Sequence, residues 1–278
     1  MKKFKLFLVP ALLGLLVFSG CSEDEPVVNE AQVLAEYLES ADSPFGKDYL
    51  NTSIPKIVKS TAIHDAMLSP STDDDYYVID IRSADDYAKG HIDGAVNVSH
   101  KEILSHLQTE NIAKDAMIAV VCYSGQTAGW ATSLINIIGY TNAASMKWGM
   151  CSWASTTQGS WEGNIANTYA EQITQDASSK SEAGSLPALS TGKTTGQEIL
   201  EARVQAVLAE GFDAAKVKNS AVWDSKDSYQ IVNYWKKEHY DDPGHIPTAQ
   251  QYTPKNDIAL AVDLKTLSTD KMVAVYCY

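Results

Sequence analysis

The chain has 278 residues and a formal net charge of −13, with 22 Lys and Arg against 35 Asp and Glu. No clustered basic face accompanies that balance, which excludes a nucleic-acid or anionic-lipid surface as the natural partner. The composition is 45% apolar and 21% charged, enough for one large core or two smaller ones, and the four cysteines stand at no metal-type spacing.

In chain order the first element is a leader over residues 1–20. Lys2, Lys3 and Lys5 precede an apolar run, residues 6–18, that is too short to cross a bilayer comfortably and reads as a secretory signal. The run closes on Phe18-Ser19-Gly20-Cys21, which resembles the lipobox of bacterial lipoproteins, with Phe18 where Leu is usual. That resemblance implies cleavage after Gly20, a lipid anchor on Cys21, and a bacterial cell-envelope location as a periplasmic or surface-exposed outer-membrane lipoprotein. A plain signal peptide with an incidental cysteine is the other reading. The acidic run Ser22-Glu23-Asp24-Glu25 resembles a surface-export tag of such proteins and reads equally as a solvated tether.

Residues 21–48 are expected to form a tether and a short helix over 31–40. From there strand-like and helix-like segments alternate, the signature of α/β architecture. Residues 57–60 lead into a helix at 62–68, residues 76–81 read as a strand, and the apolar run 117–121 reads as a strand buried on both faces of a parallel sheet. Ala131, Leu134, Ile135 and Ile138 then mark one helical face, stopped by Gly139. Residues 49–160 are therefore assigned to a first domain, a central parallel sheet flanked by helices. Residues 161–194 follow as a linker, exposed in particular over 174–185, where no large apolar residue occurs.

Self-comparison places a second copy of this domain at 195–278. The segment from Val58 to Asp65 (VKSTAIHD) recurs from Val217 to Asp224 (VKNSAVWD), and Gly90-His91-Ile92 recurs as Gly244-His245-Ile246. Asp115 to Tyr123 recurs as Asp270 to Tyr278, so Cys277 is the counterpart of Cys122, and the two His-to-Cys spacings agree to within one residue. In the first copy roughly 30 further residues follow the cysteine before the domain closes, so the second copy is expected to be truncated at Cys277 and inactive.

Cys122 carries the chemistry. It ends a buried strand on a loop that runs into a helix, where open α/β sheets place ligands. The loop amides and the positive helix end are expected to stabilise a thiolate and lower the thiol pKa without a base. Gly125 lets the loop curl into an anion nest, and Thr127 is placed to donate a hydroxyl hydrogen bond to the sulfur. Asp80-x-Arg82, Gly90-His91-Ile92-x-Gly94-Ala95 and Cys122-Tyr123-Ser124-Gly125-Gln126-Thr127-Ala128 together resemble the rhodanese (sulfurtransferase) domain. The resemblance implies that Cys122 carries sulfane sulfur as a persulfide and that residues 123–128 cradle it. It also implies that Asp80 and Arg82 brace the loop; an ordinary ion pair, such as Arg82 with Asp86, is the alternative. His91 reads as structural, and Trp148-Gly149 with Trp153 as core.

The reaction expected from this resemblance moves sulfur from thiosulfate, a polysulfide or an organic persulfide to a thiol or cyanide-like acceptor, with no cofactor and no metal. Ala128 stands where related phosphatases place an arginine, which disfavours phosphate ester cleavage. Tyr123, Ser124, Gln126 and Thr127 are all neutral, so thiosulfate is expected to be a poor donor. Two alternatives remain open at this level: a non-catalytic sulfur-binding or interaction module, and a thiol-disulfide relay in which Cys151, which reads first as a small packed residue, resolves the Cys122 intermediate.

Overall fold

A computed structural model of the chain describes residues 28–44, 56–71 and 75–276. The leader, Cys21 and Cys277 lie outside the described residues. The first half runs through helix α1 (Glu30–Leu38), strand β1 (Lys56–Val58), α2 (Ser60–Met67), β2 (Tyr77–Asp80) and α3 (Ala84–Lys89). It continues through β3 (Val96–Asn97), α4 (Ile103–Thr109), β4 (Ile118–Val121), α5 (Gln126–Ile137) and β5 (Ala143–Met146). The strands form one five-stranded sheet in the order β1-β5-β4-β2-β3, every neighbouring pair parallel.

β4 is the middle strand, and all four of its residues are buried. A parallel strand covered on both faces needs apolar side chains pointing both ways, which the run Ile-Ala-Val-Val supplies. Ile118 and Val120 join Ile79, Leu107, Ala131 and Ile135 in one core cluster. Ala119 and Val121 join Val78, Ile63, Ile92 and Met146 in the cluster on the other face. On α5 the buried positions Ala128, Ala131, Thr132, Ile135 and Asn136 repeat at helical spacing and lay that helix along the sheet.

The second half contains α6 (Gly159–Glu162), α7 (Gly196–Glu210), α8 (Phe212–Ala215), α9 (Asn219–Asp224), β6 (Tyr229–Asn233), α10 (Lys237–Asp241), β7 (Gln250–Gln251) and β8 (Met272–Tyr276). β7, β6 and β8 form a separate parallel three-stranded sheet in that order. Its register places Asn233 beside Gln251 and Tyr276, as Asp80 stands beside Asn97 and Val121 in the larger sheet. A local contact recurs as well. His91 stacks on Tyr87 at 3.8 Å, and His245 stacks on Tyr240 at 3.4 Å. Both tyrosine hydroxyls donate to an alanine carbonyl, of Ala95 and Ala249 respectively.

The packing departs from the expected domain boundary at residue 195. Leu200, Val204 and Leu208 on α7 enter the core cluster of the five-stranded sheet, and Leu34, Tyr37 and Leu38 of α1 pack against the same cluster. Glu30 ties α1 to the segment that leads into α7, accepting hydrogen bonds from the Thr191 amide and hydroxyl at 2.7 Å and from the Gly192 amide at 2.9 Å. The Thr191 amide is the main cause of its lowered carboxyl pKa. Gly196 allows the close approach of α7 to α1: a Cβ there would meet the Cβ of Tyr37 at 2.1 Å. The periodicity of α7 identified a helix but not its partner, because an apolar stripe fits any complementary face.

Residues 174–185 also differ from a free linker. Thr174 and His245 exchange backbone hydrogen bonds at 2.9 Å, and the Ser178 amide donates to the Tyr240 hydroxyl at 3.0 Å. Lys180 reaches both Asp257 and Asp263 at 2.5 Å. The segment is polar because its backbone and charged groups, not apolar side chains, hold it against the second sheet.

Since Leu208 is 2% exposed within the first core, Leu208→Ala is expected to destabilise the five-stranded sheet by about 2–5 kcal/mol. Amide hydrogen exchange along β4, resolved by peptide, checks this; unchanged protection of β4 would contradict the shared core.

Candidate active site

Cys122 follows the last residue of β4 and is 2% exposed. The chain leaves the strand, turns at Gly125 with φ +96°, and enters α5 at Gln126. This geometry folds the loop back over its own origin. The Gly125 amide donates to Cys122 Sγ at 3.1 Å and the Ala128 amide at 3.3 Å. The sulfur therefore sits at the N-terminus of a helix, ringed by N–H groups.

A second segment holds the loop from behind. Residues 149–152 form a single 3-10 turn, in which the Met150 amide donates to the Cys122 carbonyl at 2.8 Å and the Cys151 amide to the Tyr123 carbonyl at 3.1 Å. Gly149, at φ +53°, is the only residue type that fits: a Cβ would lie 2.4 Å from the Cys122 carbonyl oxygen. Trp148, expected in the core, is 43% exposed at φ +65°, since the chain must reverse there to bring Gly149 under the loop. Trp153 packs partly buried against the second core cluster.

The electrostatics correct two expectations. Burial pushes the Cys122 thiol above its ordinary pKa; the amides of Ala128, Gly125, Ser124 and Thr127 pull it down, and burial prevails. The free thiol is thus a protonated group in a cradle already shaped for an anion. Among the described residues the hydrogen bonds to the sulfur come from backbone amides, and Thr127 acts through its own amide rather than its hydroxyl.

Asp80 and Arg82 form a buried bidentate pair, with Arg82 Nη2 2.7 Å and Nε 3.1 Å from Asp80 Oδ2. Arg82 also donates to the Gly90 carbonyl at 2.7 Å, and its guanidinium lies 6.0 Å from the centre of the Tyr123 ring. The pair ties the end of β2 to the Gly90-His91-Ile92 turn. Asp86 is engaged elsewhere: it accepts from Lys89 at 2.7 Å and from the Tyr123 hydroxyl at 2.6 Å, and these bonds, Lys89's foremost, hold its carboxyl well below the usual range. His91 Nδ1–H donates to the Tyr87 carbonyl at 2.9 Å, in keeping with a structural role.

Cys122, Tyr123 and Thr127 line a cleft of about 540 Å³. Ser124 and Thr127 are half-buried, Gln126 is exposed, and Ala128 is buried under the sulfur. The opposite wall is Phe212, Asp213 and Lys216, from and just after α8. Nothing in the local sequence of residues 212–216 signals this placement, which follows from the docking of α7. Cys151 lines a different cavity, of about 390 Å³, beside Trp148 and Trp161, and its sulfur lies 3.8 Å from the Gln158 carbonyl. The two cysteines thus open to separate spaces, and Cys151 is buried. Both are free thiols.

The model of the rhodanese-like domain family matches residues 64–156. Over 72 residues the chain is 32% identical to the thiosulfate sulfurtransferase PspE of Escherichia coli, a match covering 25% of this chain and 69% of that protein. It is 33% identical to the thiosulfate sulfurtransferase GlpE of Pseudomonas entomophila over 82 residues, covering 30% of this chain and 73% of that protein. The match to the adenylyltransferase and sulfurtransferase uba4 of Ogataea parapolymorpha, 28% identical, spans 28% of this chain and only 20% of that protein. Among solved structures, the human single-domain sulfurtransferase TSTD1 aligns with 35% of this chain and 93% of its own, at 21% identity and a TM-score of 0.29.

Because burial raises the Cys122 pKa, the thiolate fraction grows only as pH climbs past the ordinary thiol range. Alkylation of Cys122 by iodoacetamide is therefore expected to accelerate with pH to a midpoint above that of an exposed cysteine peptide, read by peptide mass spectrometry. A midpoint below that of the peptide would reverse the balance between burial and amides described above.

Proposed function

The chain belongs to the rhodanese-like family, and we propose that it is a sulfurtransferase whose Cys122 accepts and passes on sulfane sulfur. The observation that carries this reading is the pair of amides at 3.1 and 3.3 Å from Cys122 Sγ, at the floor of an open cleft. With thiosulfate as donor, the Cys122 thiolate attacks the outer sulfur; the donor's S–S bond breaks, sulfite leaves with the bonding pair, and a Cys122 persulfide anion forms. An acceptor thiolate then attacks the terminal sulfur, takes it as its own persulfide, and returns the Cys122 thiolate.

The cradle favours the persulfide over the free thiol. A terminal sulfur extends the charge one bond length towards the cleft, where loop amides and the α5 N-terminus meet it while the buried inner sulfur no longer bears a full charge. Organic persulfides and polysulfides fit the same cradle. The separate cavities of Cys122 and Cys151 favour this direct transfer over a relay between them.

The second sheet is read as a tandem rhodanese-like domain without activity of its own. Its matching register and the repeated Tyr–His stack support the duplication. Asn233 and Trp235 stand where the first domain has the Asp80–Arg82 pair, so the buried ionic brace is lost. The leader supports a lipid anchor on Cys21 and residence in the bacterial cell envelope.

Incubation with thiosulfate or a polysulfide is expected to add the mass of one sulfur atom to the wild-type protein and to Cys151→Ser, and none to Cys122→Ser. Sulfur gained by Cys122→Ser would remove Cys122 from the reaction, and loss of turnover in Cys151→Ser would bring back the relay. Cys21→Ala is expected to move the protein from the membrane to the soluble fraction on cell fractionation; unchanged partitioning would refute the anchor.

A further inference from the structure

The loop around Cys122 holds no cation, and Arg82, which lines the same cleft, is paired with Asp80. The wall across the cleft is different. Lys216 projects from the end of α8 with its side chain 55% exposed, bonded to Asp213 at 2.6 Å and standing 5.7 Å over the Phe212 ring. The Lys101 ammonium donates to the Ala209 carbonyl at 2.9 Å and the Glu210 carbonyl at 3.3 Å, where α7 ends. Lys216, His100 and Lys101 together hold the Asp213 carboxyl below its ordinary pKa, so these groups share one field. Burial and Lys101 press His100 towards its neutral form. Lys216 and its partner Asp213 are the charged side chains that this segment contributes to the cleft, on a protein of net −13, and Lys101 is held at the end of α7 outside the cleft lining.

This wall is built rather than incidental. Gly211, at φ +85°, turns the chain from α7 into α8, and a Cβ there would lie 2.6 Å from Lys101 Cε. Phe212 packs 5.8 Å from the Trp130 ring, which lies 5.7 Å from His100. The α7 stripe that enters the first core sets the whole unit in place.

We propose that Lys216, supplied from outside the matched rhodanese-like segment, is the specificity-determining cation of the Cys122 cleft, and that it selects sulfur compounds bearing an anionic group distal to the reacting sulfur. Asp213 tempers that selection by pairing with Lys216. This reverses the expectation, drawn from the neutral loop alone, that thiosulfate-like donors are poor ones. It rests on the sulfurtransferase reading for its biological meaning, but the charge selection is a property of the cleft that reagents without sulfur can report.

The test compares the rates at which iodoacetate and iodoacetamide alkylate Cys122, two reagents of similar size that differ in charge. Lys216→Met is expected to lower the iodoacetate-to-iodoacetamide ratio by about fivefold at low ionic strength, and Asp213→Asn to raise it by a similar factor, both differences shrinking in salt. Lys216→Arg, which keeps the charge, is expected to preserve the ratio. With thiosulfate as substrate, Lys216→Met is expected to raise KM by more than it lowers kcat. A ratio that stays constant in both charge variants, or moves the same way in both, overturns the proposal. If the wild-type protein loads no sulfur at all, the sulfurtransferase reading fails while the alkylation ratio still decides whether Lys216 selects anions.

Discussion

Everything at the site follows from one close approach, that of Gly149 to the carbonyl of Cys122. β4 delivers the cysteine to the C-terminal end of the sheet, but a strand end alone leaves its loop free to splay. The turn at residues 149–152 arrives beneath it and satisfies the carbonyls of Cys122 and Tyr123 with two amides. With those carbonyls occupied, the loop amides are left facing inward, and the sulfur is the acceptor they find. No side chain other than hydrogen can stand at position 149 without pushing the two segments apart.

The cradle and the buried thiol work in opposite directions, and that tension suits the sulfur-carrying role proposed for Cys122. A deeply buried thiolate would be costly, which keeps the resting cysteine protonated. Amides and a helix terminus are useful when negative charge arrives on an atom beyond the buried one. The Asp80–Arg82 pair contributes at one remove. Its charges are both buried, so removing either partner would strand the other at a cost of about 3–5 kcal/mol, whereas intact it fixes the end of β2, the turn at Gly90 and the face on which Tyr123 rests.

The two halves of the chain are joined by burial rather than by a flexible connection. α1 and α7 lie together over the first core, Glu30 bonds α1 to Thr191 and Gly192 in the segment that leads into α7, and residues 174–185 strap the second sheet through Lys180 and its two aspartates. One consequence is that a cleft belonging to the first sheet acquires a wall from the second half. The cysteine loop and the charged residues that line the same cleft therefore come from different parts of the sequence.

The sequence by itself was sufficient for the parallel α/β architecture, because a doubly buried strand such as Ile118–Val121 and a helix such as Gln126–Ile137 each carry their periodicity locally. It was sufficient too for Cys122 and its loop, since the geometry of a strand, a glycine turn and a helix start is set within a few residues. The thiol's pKa was misjudged from sequence because burial is a sum over neighbours, many of which the fold brings from distant parts of the chain. The space that Cys151 opens to was not legible in the sequence either: its amide bonds the loop at the Tyr123 carbonyl while its side chain lines another cavity. The partner of α7 and the wall at Phe212, Asp213 and Lys216 were decided by tertiary structure alone, because an apolar stripe specifies that a helix must be covered and leaves open by what.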